Sequence, residues 1–320
     1  MASAMPSSNF VLVLVGPTAS GKTALLDELF GSRAERRRLG LPEALVISAD
    51  SMQAYRGMDI GTAKPSPDLL ERLPHRLIDI RDVKEQYTVG DFVRLADEAC
   101  AEAAASGLLP IVSGGTGYYV RNFICGLPSA PAADPELRAA VARDLAGLGI
   151  AAMRAELAAA DPESAARIHE NDQYRLTRAL EIVRATGRPL GDFAAPSVPR
   201  HGYRMAALAL EPPPGELGPR IDARVDAMMA AGLPAEVESL LERGCGPSDP
   251  GMKAIGYREF LAGESDLGAV ARAIKRDTRS YAKRQMTFFR ALPGVEWIPA
   301  GRAESAERLA AVARSGLAGL

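Results

Sequence analysis

An α/β fold is expected: a central parallel sheet flanked by helices, interrupted by an all-helical insertion. Three observations predict it. Phe10 to Val15 is an unbroken apolar run that passes through Gly16-Pro17-Thr18-Ala19-Ser20-Gly21-Lys22-Thr23 into a helical pattern, Ala24 to Phe30. Further apolar runs, Ala44 to Asp50 and Leu108 to Val112, are each short enough for a buried strand and separated by helical periodicity, the signature of strands paired in parallel. Glu136 to Gly187 is rich in alanine and leucine, carries helical spacing and contains no strand pattern.

The first element fixes the class. G-x-x-x-x-G-K-[ST] between a strand and a helix is a P-loop, so the core is P-loop NTPase-like. Its glycines let successive backbone N–H groups converge on phosphate oxygens at a helix N-terminus. Lys22 adds a mobile positive charge, and Thr23 offers a hydroxyl to a phosphate-bound magnesium ion. The loop binds a polyphosphate without saying which.

Composition narrows the setting. The chain has 320 residues, a formal charge of −2 and 47% hydrophobic residues, enough for a substantial core. Near-neutral charge excludes a protein coated in basic residues but leaves room for a basic face. Cys100, Cys125 and Cys245 lie far apart without C-x-x-C spacing, so reduced buried thiols are expected rather than disulfides or a zinc site. No apolar run approaches the roughly 20 residues that span a bilayer. Residues 1–9 lack the pattern of a signal peptide and read as a disordered leader, which makes a cytoplasmic location the expectation.

The remaining elements follow in order. Gly31 to Gly40 reads as a basic, exposed connection. The run ending at Asp50 places a carboxylate beyond a strand's carboxyl end, where ligands bind in open α/β sheets; capping the next turn is its other possible duty. Ser51 to Pro65 is glycine-rich and irregular, suited to a substrate-shaping loop. Leu77 to Ile80 is a strand candidate, and Thr88 to Ala105 an amphipathic helix. The strand ending at Val112 runs into Ser113-Gly114-Gly115-Thr116-Gly117, a second glycine turn at a strand's carboxyl end. An acidic residue, frequent in P-loop ATPases at the place of Ser113, is absent.

Proline-rich stretches at Leu127 to Pro135 and Arg188 to Pro199 bound the insertion. The expected division is therefore residues 10–126 and 200–320 for the core, with residues 127–199 inserted. Near the insertion's end, Arg167, His169, Arg175, Arg178, Arg184 and Arg188 gather positive charge that suits a phosphate backbone. Met205 to Leu210 returns to the sheet. A helix over Arg220 to Ala231 places Arg220 and Arg224 on one face, and a second helix runs from Ala235 to Arg243. Leu267 to Leu292 is a long helix with seven basic residues against Asp277 alone, interleaved with Tyr281, Phe288 and Phe289. That combination suits a nucleic-acid groove. From Pro293 a short strand and a terminal helix close the chain.

Three reactions can use these parts. A small-molecule kinase would place ATP in the loop and use Asp50 as base. A nucleic-acid-dependent ATPase would use the basic helices as a track. A transferase could hold a leaving diphosphate in the loop and accept a base in RNA. The first has little use for so much basic helix, and the second lacks its acidic strand end.

The chain resembles the bacterial tRNA dimethylallyltransferase family. The matching segments are GPTASGKT at 16–23, SADSMQAYRGMDIGTAKP at 48–65, PHRLIDI at 74–80, YTVGDF at 87–92 and IVSGGTG at 111–117. They continue with DPESAARIHEND at 161–172, RLTRALE at 175–181, IGYRE at 255–259 and TRSYAKRQMTFFR at 278–290. The resemblance implies transfer of a dimethylallyl group from dimethylallyl diphosphate to the exocyclic amine of the adenine 3′ to the anticodon, releasing pyrophosphate. It assigns Asp50 as base, with Thr23 and Arg224 also catalytic and magnesium held at Thr23. The diphosphate falls to Gly16, Thr18, Ala19, Ser20, Gly21, Lys22 and Thr23, with Arg220 the alternative to Arg224. It assigns the anticodon stem-loop of tRNA to Asp50, Ser51, Met52, Gln53 and Thr116, to Arg138, Tyr174, Arg175 and Arg178, and to Lys253, Gly256, Tyr257, Arg258, Lys283 and Arg284. The adenine must be turned out of its stack. Phe288, Ala54 and Tyr174 stand where the family more usually has tryptophan, valine and glutamine, and the zinc module of eukaryotic relatives is missing. A monomer is expected. The neighbouring alternative is an adenylate isopentenyltransferase acting on free nucleotide.

Overall fold

Three apolar strands with no exposed residue, β1 (Phe10–Val15), β2 (Ala44–Ser48) and β4 (Leu109–Gly114), form the centre of the computed structural model. The structure describes residues 10–131, 134–301 and 303–318, so the expected leader lies outside the described residues. With β3 (His75–Arg76), β5 (Arg204–Glu211) and β6 (Val295–Pro299) they make a six-stranded sheet in the order β3-β2-β4-β1-β5-β6. All its pairings are parallel. Burial on both faces explains why the central strands read as continuous apolar runs rather than alternating ones.

The helices follow from local signals. α1 (Lys22–Leu26) opens directly from the P-loop and passes into a π-helical turn, Asp27–Gly31. The stretch expected as a connection is instead helix α2 (Arg33–Leu39). Ser32 caps its first turn by accepting from the Glu35 N–H, and Gly40 closes it in the left-handed conformation. After α3 (Pro67–Arg72) the strand lies at His75–Arg76 rather than at Leu77 to Ile80. Leu77 and Asp79 adopt positive φ, which breaks the extended run that the apolar pattern suggests. α4 (Val89–Ala105) starts with a reciprocal capping box between Thr88 and Asp91. α5 (Gly117–Cys125) follows the second glycine turn.

The chain divides into two compact units, Met1–Ile124 with Val198–Leu320, and Cys125–Ser197. The smaller unit contains α6 (Pro135–Ala160), α7 (Pro162–Arg167) and α8 (Gln173–Thr186), with α6 broken at Gly149. Val141, Met153, Leu157, Ile168, Leu176 and Leu180 form its core. The arginines that suggested a phosphate-binding cluster are engaged within the unit. Arg184 binds Asp144 and Glu156, Arg178 binds the buried Glu181 and the Pro131 carbonyl, and Arg167, Arg175 and Arg188 pair with Glu163, Asp172 and Asp192. Each of these arginines therefore has an acidic partner inside the unit.

In the larger unit, α9 (Leu217–Ala230), α10 (Leu233–Glu242), α11 (Leu267–Arg290) and α12 (Ala303–Ala318) complete the cover of the sheet. α12 closes a core of Phe10, Leu12, Leu14, Leu29, Phe30 and Leu309. Cys100, Cys125 and Cys245 are buried, and none of them forms a disulfide among the described residues. Among the described residues no helix is long and apolar enough to cross a membrane.

Candidate functional site at the carboxyl ends of the central strands

Strand order reverses around β1 and β4, and ligands in open α/β sheets bind at such a switch point. Register brings three turns to one level: Val15 lies opposite Gly114, and Ser48 opposite Ser113. The P-loop, the Asp50 turn and the second glycine turn thus emerge side by side. Gly114 permits this closeness, because a Cβ there would stand 2.2 Å from the Ala49 carbonyl oxygen. The Thr116 N–H then donates to that same oxygen at 3.1 Å.

A cavity of about 980 Å³ opens above these turns. Thr18, Ala19, Ser20, Gly21, Lys22 and Thr23 line one side, and Asp50, Ser51, Met52 and Gln53 another. Arg220, Arg224, Gly256, Arg258 and Arg284 also reach it. Gly16 supplies the turn beneath the loop and accepts from Lys22.

The P-loop holds its donors in reserve. Gly21 caps α1 without a side-chain bond, and among the described residues no acceptor meets the N–H groups of Gly21, Lys22 or Thr23. Lys22 is not the mobile charge its sequence context suggests. Its ammonium donates to the carbonyls of Gly16 at 2.8 Å and Pro17 at 3.0 Å. Burial, then the nearby Arg224, lowers its pKa to about 8, against the opposing pull of Asp50. Arg224 is held below its ordinary value by burial, with Asp50 acting in the other direction. Arg220, by contrast, is half-exposed and paired with Glu216 at 2.6 Å. Both arginines are partly exposed and reach the cavity, but Arg224 interacts electrostatically with Lys22 and Asp50 whereas Arg220 is held by Glu216.

Asp50 does two jobs with two oxygens. Oδ1 accepts from the N–H of Met52 at 2.9 Å and of Gln53 at 3.4 Å, capping the turn. Among the described residues Oδ2 accepts no hydrogen bond, which leaves it for a proton from a ligand. Thr116 does not line the cavity; its Oγ1 accepts from the Ser51 N–H at 2.9 Å and braces the Asp50 turn. Gln53 is spent internally, accepting from Ser48 and donating to the carbonyls of Thr62 and Ala63.

The other residues assigned to tRNA by resemblance fall into three sets. Tyr257 is fully buried, its hydroxyl donating to Glu236 at 2.6 Å, so it supports the wall from behind. Lys253, Lys283 and Arg284 are exposed and make no ion pair among the described residues, whereas Arg258 is bound by Glu259 and Asp277. Arg138, Tyr174, Arg175 and Arg178 belong to the smaller unit, where Tyr174 is 79% exposed and Arg138 pairs with Glu181 at 3.5 Å. The basic stripe of α11 is also largely neutralised. Arg272, Lys275, Arg276, Arg279 and Arg290 pair with Asp266, Asp226, Asp277, Asp222 and Glu211. Acids on α9 supply two of those partners, which a reading of α11 alone does not reveal.

Four residues beyond those expected shape the site. Glu236 accepts from the N–H groups of Asp59, Ile60 and Gly61. Lys64, its side chain 6% exposed, binds the Tyr55 carbonyl, Asp59 and Asp79. Tyr281 lines the cavity with its phenol pushed up to about 12, by burial and then Asp50. Gln285 joins the P-loop to the second glycine turn. A glutamine on the apolar stripe of Val270, Ile274, Ala282 and Phe289 was the available signal for the last.

The comparisons with known proteins agree in direction. The family profile described as IPP transferase matches residues 53–292, a span that begins after the P-loop and Asp50. A tRNA dimethylallyltransferase of Thioalkalivibrio sulfidiphilus is 46% identical over 300 residues, covering 91% of this chain and 90% of the relative. One from Trichlorobacter lovleyi is 44% identical over 299 residues, covering 90% and 93%. Among solved structures, the full-length tRNA isopentenylpyrophosphate transferase of Bacillus halodurans superposes with a TM-score of 0.68 at 35% identity, covering 98% of both chains. A eukaryotic dimethylallyltransferase captured acting on tRNA gives a TM-score of 0.82 at 25% identity, covering 98% of this chain and 80% of that one.

Proposed function

Because the chain belongs to the IPP transferase family, we propose that it transfers a dimethylallyl group to the exocyclic amine of the adenine 3′ to the anticodon of tRNA. The carrying observation is one cavity with two complementary walls. Unspent N–H groups of Gly21 to Thr23 line one, and the free oxygen of Asp50 the other. Its volume lies near the top of the roughly 300–1,000 Å³ range of small-molecule sites, which suits two substrates together.

Dimethylallyl diphosphate is the proposed donor, its diphosphate resting on the loop amides with Lys22 and Arg224 beside it. The adenine nitrogen attacks the allylic carbon as the carbon–oxygen bond breaks, and the electron pair leaves with pyrophosphate. The nitrogen's proton passes to Oδ2 of Asp50. That amine is a weak nucleophile, since its lone pair is delocalised into the purine, so general-base help is worth roughly 10²–10⁴-fold. Charge gathers on the departing diphosphate, where preorganised donors act most strongly.

The donor set at the loop fits magnesium. Among the described residues no cluster of three His, Cys, Asp or Glu offers a protein cage. A single hydroxyl, Thr23, beside a diphosphate matches an ion that keeps several waters and takes phosphate ligands. Bound there, it would neutralise charge on the leaving group.

Lys253, Lys283 and Arg284 are proposed to contact tRNA, as exposed cations without an acidic partner among the described residues, Arg284 lying over the Tyr281 ring. We propose a cytoplasmic location and a monomeric enzyme. Names of relatives matched over about nine-tenths of this chain set aside a free-nucleotide acceptor and a kinase. Mass analysis of nucleosides from tRNA incubated with the protein and dimethylallyl diphosphate tests the reading. Dimethylallyl-adenosine is expected; its absence, with turnover of free AMP or phosphorylation of a metabolite, contradicts it.

A further inference from the structure

Gln285 is 4% exposed and interrupts an otherwise apolar stripe of α11. A buried amide is costly unless bonded, and leucine would fill such a place without that demand. Both ends of this one are committed. Oε1 accepts from the Thr18 N–H at 2.9 Å, and Nε2 donates to the Gly115 carbonyl at 2.7 Å. Gly115 is shaped around it, because a Cβ there would stand 2.5 Å from Nε2. One side chain thus spans the two glycine turns that border the cavity.

A connected path continues beyond it. Thr116 follows Gly115, and its hydroxyl accepts from the Ser51 N–H at 2.9 Å. Ser51 follows Asp50. The bonds therefore run from the diphosphate loop, through Gln285 and Thr116, to the turn that carries the carboxylate. We propose that Gln285, which also lines the cavity, is a positioning residue that sets the separation between the leaving diphosphate and the base through the two turns it joins. The inference rests on the transfer reading above. Displacement transfer demands alignment of nucleophile, carbon and leaving oxygen, and an error of about 1 Å in such an arrangement can cost on the order of 10²-fold in rate.

Gln285→Glu tests this with almost no change of volume. As a carboxylate it still accepts from Thr18 but repels the Gly115 carbonyl. As a carboxylic acid it accepts and donates, restoring both bonds. Burial favours the acid form and brings its titration toward neutral pH. The titratable groups nearby are Tyr281, one turn earlier on α11, with Asp50, Lys22 and Arg224 around the cavity. Wild-type protein measured at each pH removes their contribution.

At about pH 8 the variant is expected to lose roughly 10- to 100-fold in kcat while its Kd values for dimethylallyl diphosphate and tRNA stay within about threefold. The ratio to wild type should recover as pH falls toward about 6. Gln285→Met, which can make neither bond, should show the kcat loss without the recovery, and it keeps the test open if the glutamate variant does not fold. Wild-type kcat in either variant at about pH 8 overturns the proposal. So does a parallel loss of kcat and both affinities with no pH dependence, which marks a purely structural role. A wild-type protein that transfers nothing to tRNA overturns the reading beneath it instead.

Discussion

Across the cavity from one another, the P-loop and the segment 51–65 use their backbone polar groups in opposite ways. At the loop, three successive N–H groups are left without acceptors among the described residues, and its partly buried lysine and nearby Arg224 are held below their ordinary pKa values by desolvation. Along the opposite segment the polar groups are consumed internally: Glu236 takes three N–H groups, Lys64 a carbonyl and two carboxylates, and Gln53 two carbonyls. A surface that must grip a highly charged ligand keeps unspent donors. A surface that must present a shaped rim to a flat base spends its donors on rigidity. Asp50 sits between these regimes, one oxygen used for shape and the other free.

Substitutions at the boundary should have the largest effect. Asp50→Asn keeps an oxygen to cap Met52 and Gln53 but cannot take the proton, so kcat should fall by roughly 10²–10⁴-fold with tRNA affinity intact. Asp50→Ala should add a loss of tRNA affinity, because the turn is uncapped as well. Steady-state kinetics beside filter binding separate the two; equal affinities in both variants would show that the cap does not shape the acceptor wall.

Breaking the saturated wall comes next. Glu236→Ala strips the acceptor from three N–H groups and the Tyr257 hydroxyl. Stranded donors cost ~1–3 kcal/mol, discounted here because the carboxylate is partly exposed. Urea unfolding should register the loss, and KM for tRNA should rise while pyrophosphate affinity holds. A matched fall in pyrophosphate affinity would mean the two walls are not independent.

The loop's reserve can be read through pH. Lys22 titrates near 8 in the folded protein instead of 10.5. Its charged form therefore costs stability, a cost absent above the unfolded value, growing as pH falls, and complete below about 8. Lys22→Met should raise the Tm of the ligand-free protein at pH 7, with the gain vanishing toward pH 10.5. An anionic ligand restores the charge, so dimethylallyl diphosphate should bind with proton uptake. Its affinity should fall by up to about tenfold per pH unit above pH 8, and the methionine variant should be flat. Calorimetry in buffers of different ionisation heat measures that uptake.

The smallest effects separate free from neutralised cations on α11. Lys283→Ala should reduce the salt slope of tRNA binding by about 1. Arg272→Ala, already paired with Asp266 in the open, should change affinity by no more than about 0.5 kcal/mol. Equal slopes for the two variants would erase the distinction.

What could be read from sequence divides along the same line. The phosphate loop announces itself because all its parts are consecutive, and Asp50 because it ends an apolar run. Glu236 and Gln285 have no such local pattern. Their partners lie 177 and 267 positions away, and only the folded sheet order brings them together. The pairing within the basic stripe of α11 is hidden for a related reason: Asp222 and Asp226, which pair with Arg279 and Lys275, sit on α9. The strand expected at Leu77 to Ile80 failed locally, where positive φ at Leu77 and Asp79 overrode an apolar run. Helix α2 is hard to see in the sequence because a run of arginines resembles a linker, although Ser32 and Gly40 are ordinary caps.

Equilibrium displacement of labelled dimethylallyl diphosphate decides whether the unspent donors serve a leaving group or a nucleotide. Unlabelled pyrophosphate should displace it at concentrations where ATP does not, and Lys22→Met should weaken the label's binding at pH 7. Tight ATP binding that an allylic diphosphate fails to reverse would contradict the assignment of this cavity.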